Sequence, residues 1–292
     1  MEKVVVIGTQ GMLGSVVCRY LTDEKFQVIE INSTGQTQSN NSITKFDIAS
    51  ESINNLRGIL SNVDYVINCA GLIKHKIEEN NLKSLNNLIR VNSIFPIELS
   101  ELAKELGFRV IQIATDCVFS GARGSYTESD IKDPVDNYGY SKVLGEHLDN
   151  NLITLRCSLI GKELNTKVEF LEWVLSHDTA SEVGGFTNHH WNGLTTMHYA
   201  KIITGIMKRK YFTAGTFHVV PENSITKFQL SQVILDCFGS SEIKVAPVQS
   251  PKSINRTLAT INEQFNLDMW RDAGYNKPLN IAEMIKEYSL WA

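Results

Sequence analysis

The chain has no paired cysteines of the kind that signal a disulfide framework or a zinc site. Cys18, Cys69, Cys117, Cys157 and Cys237 are odd in number and widely spread, and no two form a Cys-x-x-Cys pair. They read as reduced thiols, the state expected of a cytoplasmic protein. No uninterrupted apolar run approaches the roughly 20 residues that span a bilayer. The charged-then-apolar pattern of a signal peptide is also missing, because Val4-Val5-Val6-Ile7 is short and runs straight into Gly8. A formal charge of -4 gives no electrostatic reason to expect nucleic acid or an anionic membrane as partner. There is no internal repeat, coiled-coil heptad or disordered tail. His189 and His190 are adjacent, but no third ligand accompanies them, so no metal is expected.

What is present is an ordinary globular composition, 42% apolar and 21% charged over 292 residues, enough for a substantial core. In the first half, short apolar runs alternate with helical patterns, the signature of a parallel sheet covered by helices. Strands are expected at Lys3–Ile7, Phe26–Ile31, Val63–Asn68, Arg109–Ala114 and Ile153–Ser158, and helices at Met12–Leu21, Leu82–Leu106 and Asp136–Asn150. Beyond about residue 160 the pattern is less regular. Glu169–Leu175 and Thr196–Arg209 read as helices, and further elements are expected at Thr216–Val219, Lys227–Phe238 and Ile281–Tyr288.

Two motifs carry chemistry. The first is Gly8-x-x-Gly11-x-x-Gly14, with Gln10, Met12 and Leu13 between the glycines, directly after the first strand. Glycines let backbone approach phosphate oxygens, and the following helix presents unpaired N–H groups and a positive dipole end. The end of the second strand should meet the adenosine ribose. Glu30 is the acid there, placed to favour NADH unless it points sideways, and Asn32, Ser33 and Thr34 follow without an arginine to clamp a 2′-phosphate. NADH and NADPH both remain open. The second motif is Tyr138-x-x-x-Lys142, whose i, i+4 spacing puts phenol and ammonium on one helix face, so that the cation should lower the phenol pKa. Tyr138 then gives a proton to a carbonyl oxygen as hydride reaches its carbon. Thr115, at a strand's C-terminal end, can polarise the same oxygen. Tyr-x-x-x-Lys alone also describes an amphipathic surface pair; Thr115 and the glycine loop upstream argue for a site.

These residues, with Asp47-Ile48, Asn68-Cys69-Ala70-Gly71 and Asn92, resemble an extended short-chain dehydrogenase/reductase. More narrowly, Ala114-Thr115-Asp116-Cys117-Val118-Phe119-Ser120-Gly121, Tyr126-x-Glu128 and Tyr138-Gly139-Tyr140-Ser141-Lys142-x-x-x-Gly145-Glu146 resemble the dTDP-4-dehydrorhamnose reductase group. The resemblance is close over residues 1–160 and looser beyond. It implies an α/β fold with a Rossmann-type doubly wound parallel sheet in residues 1–160, binding NADPH or NADH. Residues 161–292 would form mainly a smaller α/β substrate-binding domain, with a later segment free to rejoin the sheet. By the same resemblance Asp47 and Ile48 would contact adenine, Cys69-Ala70-Gly71 would line the adenosine side, Lys142 would hold the nicotinamide ribose, and Asn92 would lie behind the active site. Asp116, Cys117, Val118 and Phe119 would face the sugar, joined by His189, Trp191 and Asn192 from the loop 186–195 and by Arg256 near a diphosphate. A homodimer is compatible with the family.

The resemblance implies reduction of the C4 ketone of a nucleotide-activated 4-keto-6-deoxyhexose, in deoxysugar supply for a surface polysaccharide. Related dehydratases carry Thr-Asp-Glu where this chain has Thr115-Asp116-Cys117, so the second carboxyl for eliminating water is missing. Cys117 and Leu159 stand where the reductases usually have aromatics, which points also to a UDP-linked, 2-acetamido analogue of the dTDP sugar. A nucleotide-sugar epimerase, or a bifunctional 3-epimerase and 4-reductase, is the second enzyme reading. A non-catalytic dinucleotide-sensing subunit is the alternative from another class.

Overall fold

A computed structural model describes residues 2–37, 39–164, 168–177, 182–209, 212–240 and 242–292. Its centre is a seven-stranded parallel sheet. The strands are β1 (Lys3–Ile7), β2 (Gln27–Asn32), β3 (Ser42–Lys45), β4 (Tyr65–Asn68), β5 (Arg109–Ala114), β6 (Leu152–Arg156) and, from much later in the chain, β11 (Gly215–His218). Their order is β11-β6-β5-β4-β1-β2-β3, so the chain winds out from β1 in one direction and then in the other. Strand β1 is covered on both faces, which is why it reads as an unbroken apolar run: Val4, Val5 and Val6 are fully buried. Val5 registers with Ile29 on one side and Val66 on the other.

Helix α1 (Met12–Asp23) buries Leu13, Val17 and Leu21 and packs against α7 (Thr196–Lys208), which joins the two halves of the chain through one continuous core. Short helix α2 (Arg57–Leu60) precedes β4. The segment expected as one helix from Leu82 to Leu106 is instead α3 (Leu82–Ile89), a π-helical stretch Arg90–Ile94, and α4 (Phe95–Leu106). Pro96 accounts for the interruption, since it has no N–H and its ring excludes the carbonyl four residues back, that of Asn92. Helix α5 (Asn137–Gly145) is shorter than the expected Asp136–Asn150. It ends where a Cβ on Gly145 would come within 2.1 Å of the Asn92 carbonyl oxygen. Directly after it, Glu146 turns inward to pair with Arg156, which is 3% exposed.

The rest of the C-terminal half is built from small pairings. Strand β7 (Leu159–Ile160) runs parallel to β10 (Leu194–Thr195), and β8 (Glu182–Phe186) runs parallel to β13 (Lys244–Val248). Strand β9 (His189–Trp191) lies between β12 (Ile225–Thr226) and β14 (Ile254–Asn255). Helices α6 (Phe170–Leu175), α8 (Lys227–Cys237), α9 (Glu263–Asp272) and α10 (Ile281–Trp291) complete this half. Among the described residues no helix is long and apolar enough to cross a membrane.

Candidate active site

A cleft of about 440 Å³ opens at the C-terminal ends of the central strands, where ligands of open parallel sheets bind. One end is formed by Gln10, Gly11, Met12 and Leu13, and its flank by Cys69, Ala70 and Gly71 after β4. Gly8 holds a left-handed φ of +87°, and a Cβ there would meet the Ala70 nitrogen at 2.7 Å. A Cβ on Gly14 would stand 2.2 Å from the Gly8 carbonyl oxygen. Gly8 and Gly14 therefore serve close packing, while Gly11 is the cleft-facing glycine. Gly11 caps α1 without any side-chain bond, so the first N–H groups of the helix are left for a ligand. This bare, glycine-capped terminus fits the diphosphate of a dinucleotide.

The other end holds the groups expected to react. Thr115 closes β5 and is 8% exposed; its hydroxyl oxygen accepts from the Cys117 amide at 3.1 Å and donates to Asp116 Oδ1 at 3.2 Å. Asp136 starts α5 by accepting from the Gly139 amide at 2.8 Å, and Lys74 clamps Asp136 at 2.6 Å. That helix brings Tyr138 and Lys142 into the cleft with Thr115. Thr115 lies beside the Tyr138 phenol and favours its ionised form. Lys142 Nζ lies where a Cβ on Gly71 would be only 3.0 Å away, so the glycine makes room for the ammonium.

The electrostatics correct one expectation. Burial pushes the Tyr138 phenol well above its ordinary value, with Cys117 and Asp116 adding to the rise and Thr115 opposing it. The spacing with Lys142 had suggested a lowered phenol. Sharing a helix face does not bring the two heads together here: the ammonium is turned toward Gly71 and Cys69, and burial governs the phenol. Lys142 is itself held down to about 8 by burial, against the pull of Glu146 and Cys69. Burial raises Asp116, with Arg256 the largest opposing influence, and pushes the Cys117 thiol up to about 11.

Asn92 is a brace. Its Nδ2 donates to the Leu72 carbonyl at 2.9 Å and to Ser141 Oγ at 3.0 Å, and its Oδ1 accepts from the Leu72 amide at 2.9 Å. It thereby ties the loop after β4 to α5.

On the adenosine side the expected polar residues are engaged with the protein. Glu30, 4% exposed, points sideways and accepts from Thr37 at 2.8 Å, from Ser39 and from Asn41. Asn32 donates to Thr9 Oγ1 at 2.8 Å and to the Gln36 carbonyl at 2.9 Å, and accepts from the Thr34 and Gly35 amides. Asp47 spends its carboxylate on the Ala49 amide and the Ser50 hydroxyl, and Ile48 belongs to the core. Ser33 is exposed beside Thr34.

The expected sugar wall divides. Asp116 and Cys117 line the cleft, together with Ser158 and Leu159. Val118 and Phe119 do not, because both are fully buried, with Phe119 stacked on Tyr126 at 4.4 Å. The resemblance placed them beside Asp116 and Cys117, whereas the 3₁₀ turn Asp116–Val118 sends them into a small core cluster. Asn192 clamps Leu258 through both ends of its amide, at 2.7 and 2.9 Å, and His189 meets the Lys252 carbonyl at 3.1 Å. Trp191 Nε1 donates to Ser158 Oγ at 2.9 Å, so it supports the lining from behind. Arg256 donates to the Phe119 carbonyl at 2.9 Å while its charge reaches Asp116. Sequence reading overlooked Lys74 and Lys227. Lys227 had a signal: a cation in the first turn of a helix, where the dipole disfavours it.

The model of the RmlD substrate binding domain family matches residues 1–289. A probable low-salt glycan biosynthesis reductase, Agl14, from Haloferax volcanii is 28% identical over 244 residues, covering 80% of this chain and 79% of that protein. Methionine adenosyltransferase 2 subunit beta from Mus musculus is 23% identical over 99% of this chain and 87% of its own length. Among solved structures, dTDP-4-dehydrorhamnose reductase from Bacillus anthracis in complex with NADP superposes with a TM-score of 0.77 at 20% identity, over 100% of both chains.

Proposed function

The chain belongs to the RmlD substrate binding domain family, and from that premise we propose that it reduces the C4 ketone of a nucleotide-activated 4-keto-6-deoxyhexose with NADPH or NADH. One observation carries the reading. The hydroxyls of Thr115 and Tyr138 and the ammonium of Lys142 share one cleft with the uncapped, glycine-lined start of α1. The bound dinucleotide supplies the hydride. Tyr138 supplies the proton: its phenol is held neutral by burial, the form that a reduction requires of its donor. Thr115 stands beside that phenol, and its single hydroxyl proton, shared with Asp116, turns to the ketone oxygen as charge develops on it. Lys142, cationic below about 8, is placed to hold ribose hydroxyls beside Gly71. Asn92 and Asp136 fix the helix that carries both residues.

Support for a nucleotide-linked sugar comes from the relatives, one named as a glycan biosynthesis reductase and one as a dTDP-4-dehydrorhamnose reductase. Cys117 and Leu159 leave the pocket without the aromatics usual in that group, which accommodates either the dTDP sugar or a bulkier UDP-linked, 2-acetamido analogue. Related dehydratases place a carboxyl where this chain has Cys117, and a thiol pushed up to about 11 stays protonated at neutral pH, which disfavours dehydration. The test is loss of NADPH absorbance with a panel of dTDP-, UDP- and GDP-linked 4-keto sugars. Stoichiometric consumption of cofactor with one of them is expected, and conversion of sugar without cofactor loss would shift the reading to epimerase. A second reading, a non-catalytic dinucleotide-sensing subunit, draws on the likeness along 99% of the chain to a protein named as a subunit, methionine adenosyltransferase 2 subunit beta. It predicts dinucleotide binding with no reduction of any sugar in the panel.

A further inference from the structure

Lys227 enters the neighbourhood of the cleft from the C-terminal half. Ile225 and Thr226 pair antiparallel with Trp191 and His190, and Thr226 opens α8 in a capping box with Gln229. Lys227 is thereby fixed as the first residue of the helix, where a positive charge opposes the dipole. Its ammonium stands 4.0 Å from the centre of the Phe170 ring and 5.5 Å from that of Trp191. Burial holds it down to about 8, and the groups that pull the other way are Asp116, Glu169 and Cys117, all of which line the cleft. The two rings return part of the cost of this placement and fix the head of the side chain. A leucine or methionine would fill the same space without opposing the dipole or losing hydration. A cation kept under such conditions next to reactive groups is the pattern of a ligand-binding residue.

The chemistry around it narrows the ligand. Lys227 is a donor, and Asp116, beside the Thr115–Tyr138 pair, is an acceptor when ionised. Together they suit a substituent that accepts from one side and donates to the other, a hydroxyl or an amide. A phosphate is poorly matched, because the carboxylates of Asp116 and Glu169 share the same neighbourhood. We propose that Lys227 is a specificity-determining residue that donates a hydrogen bond to a hydroxyl or amide oxygen on the sugar ring of the substrate, across from Asp116. The inference rests on the nucleotide-sugar reading given above.

Calorimetric titration of the full chain, saturated with NADP⁺, tests it with UDP-N-acetylglucosamine and dTDP-glucose as stable probes and with bare UDP and dTDP beside them. K227M is expected to weaken the sugar nucleotides about tenfold to a hundredfold, the size of one lost charge-assisted hydrogen bond. Affinity for the bare nucleotides and for NADPH should stay as in the wild type. Equal weakening of the bare nucleotides would assign the lysine to phosphate, and unchanged binding of every probe would reduce it to packing; either result overturns the proposal. If K227M does not fold, K227Q carries the same comparison. Failure of the wild type to bind any sugar nucleotide would sink the functional reading itself, whereas binding indifferent to residue 227 would sink only this inference.

Discussion

The two ends of the cleft use polar side chains in opposite ways. Past the glycine end, Glu30 and Asn32 in β2 and Asp47 just after β3 are satisfied by neighbouring amides and hydroxyls, and their bonds shape the adjoining loops. At the end of β5 and on α5, Thr115, Tyr138 and Lys142 are brought into buried space around the cleft, where desolvation drives the phenol up and the ammonium down. The first arrangement holds shape; the second keeps polar heads at the cleft at the expense of solvation. The same residue types, a carboxylate or an amide after a strand, do not announce which of the two they will adopt.

The largest expected effect strikes the reactive end. Tyr138→Phe should lower turnover of the sugar substrate by about 10²- to 10⁴-fold while the dinucleotide still binds, measured by cofactor absorbance and by fluorescence titration. Undiminished turnover would falsify the assignment of the proton donor. Next comes the frame behind that end. Glu146→Ala leaves Arg156, 3% exposed, without its carboxylate, and unfolding free energy should fall by roughly 3–5 kcal/mol in urea titrations. A loss under 1 kcal/mol would mean that the pair is not what anchors α5 to β6.

A pH series sharpens the contrast further. Lys142 is held below the ordinary lysine range, so its ammonium is present at neutral pH and lost as pH rises through about 8. Dinucleotide affinity should therefore weaken above that point, and the dependence should vanish in Lys142→Met; a pH-independent affinity between 7 and 9 in the wild type would contradict the role given to the ammonium. The smallest effect belongs to the other end. Asp47→Ala should cost about 1 kcal/mol, as for loss of a capping residue, with the NADH-to-NADPH preference unmoved. A changed preference would show Asp47 acting on adenosine after all.

Much of the site was legible because strand ends and helix periodicity dictate position. An apolar run followed by glycines places Gly11 at the cleft, and four residues of helix place Lys142 beside Tyr138's face. Periodicity does not report where a long flexible head ends up, which is why the phenol shift carried the wrong sign. A shared motif does not report side-chain direction around a 3₁₀ turn either, so the resemblance assigned Val118 and Phe119 to a wall they do not reach. The interruption at Arg90–Ile94 was foreshadowed by Pro96, but the helical pattern on either side concealed it. The small strands beyond residue 160 pair two to five residues at a time, too few for alternation to stand out from loop composition.

Strand β11 has a consequence for how the chain becomes a protein. Its partner β6 is complete at Arg156, yet the neighbour that covers its free edge is not synthesised until His218. During translation, and in any fragment cut near residue 160, that edge stays unpaired and open to other chains. Dissecting the first 160 residues therefore calls for carrying residues 215–218 along, or for supplying them as a separate peptide.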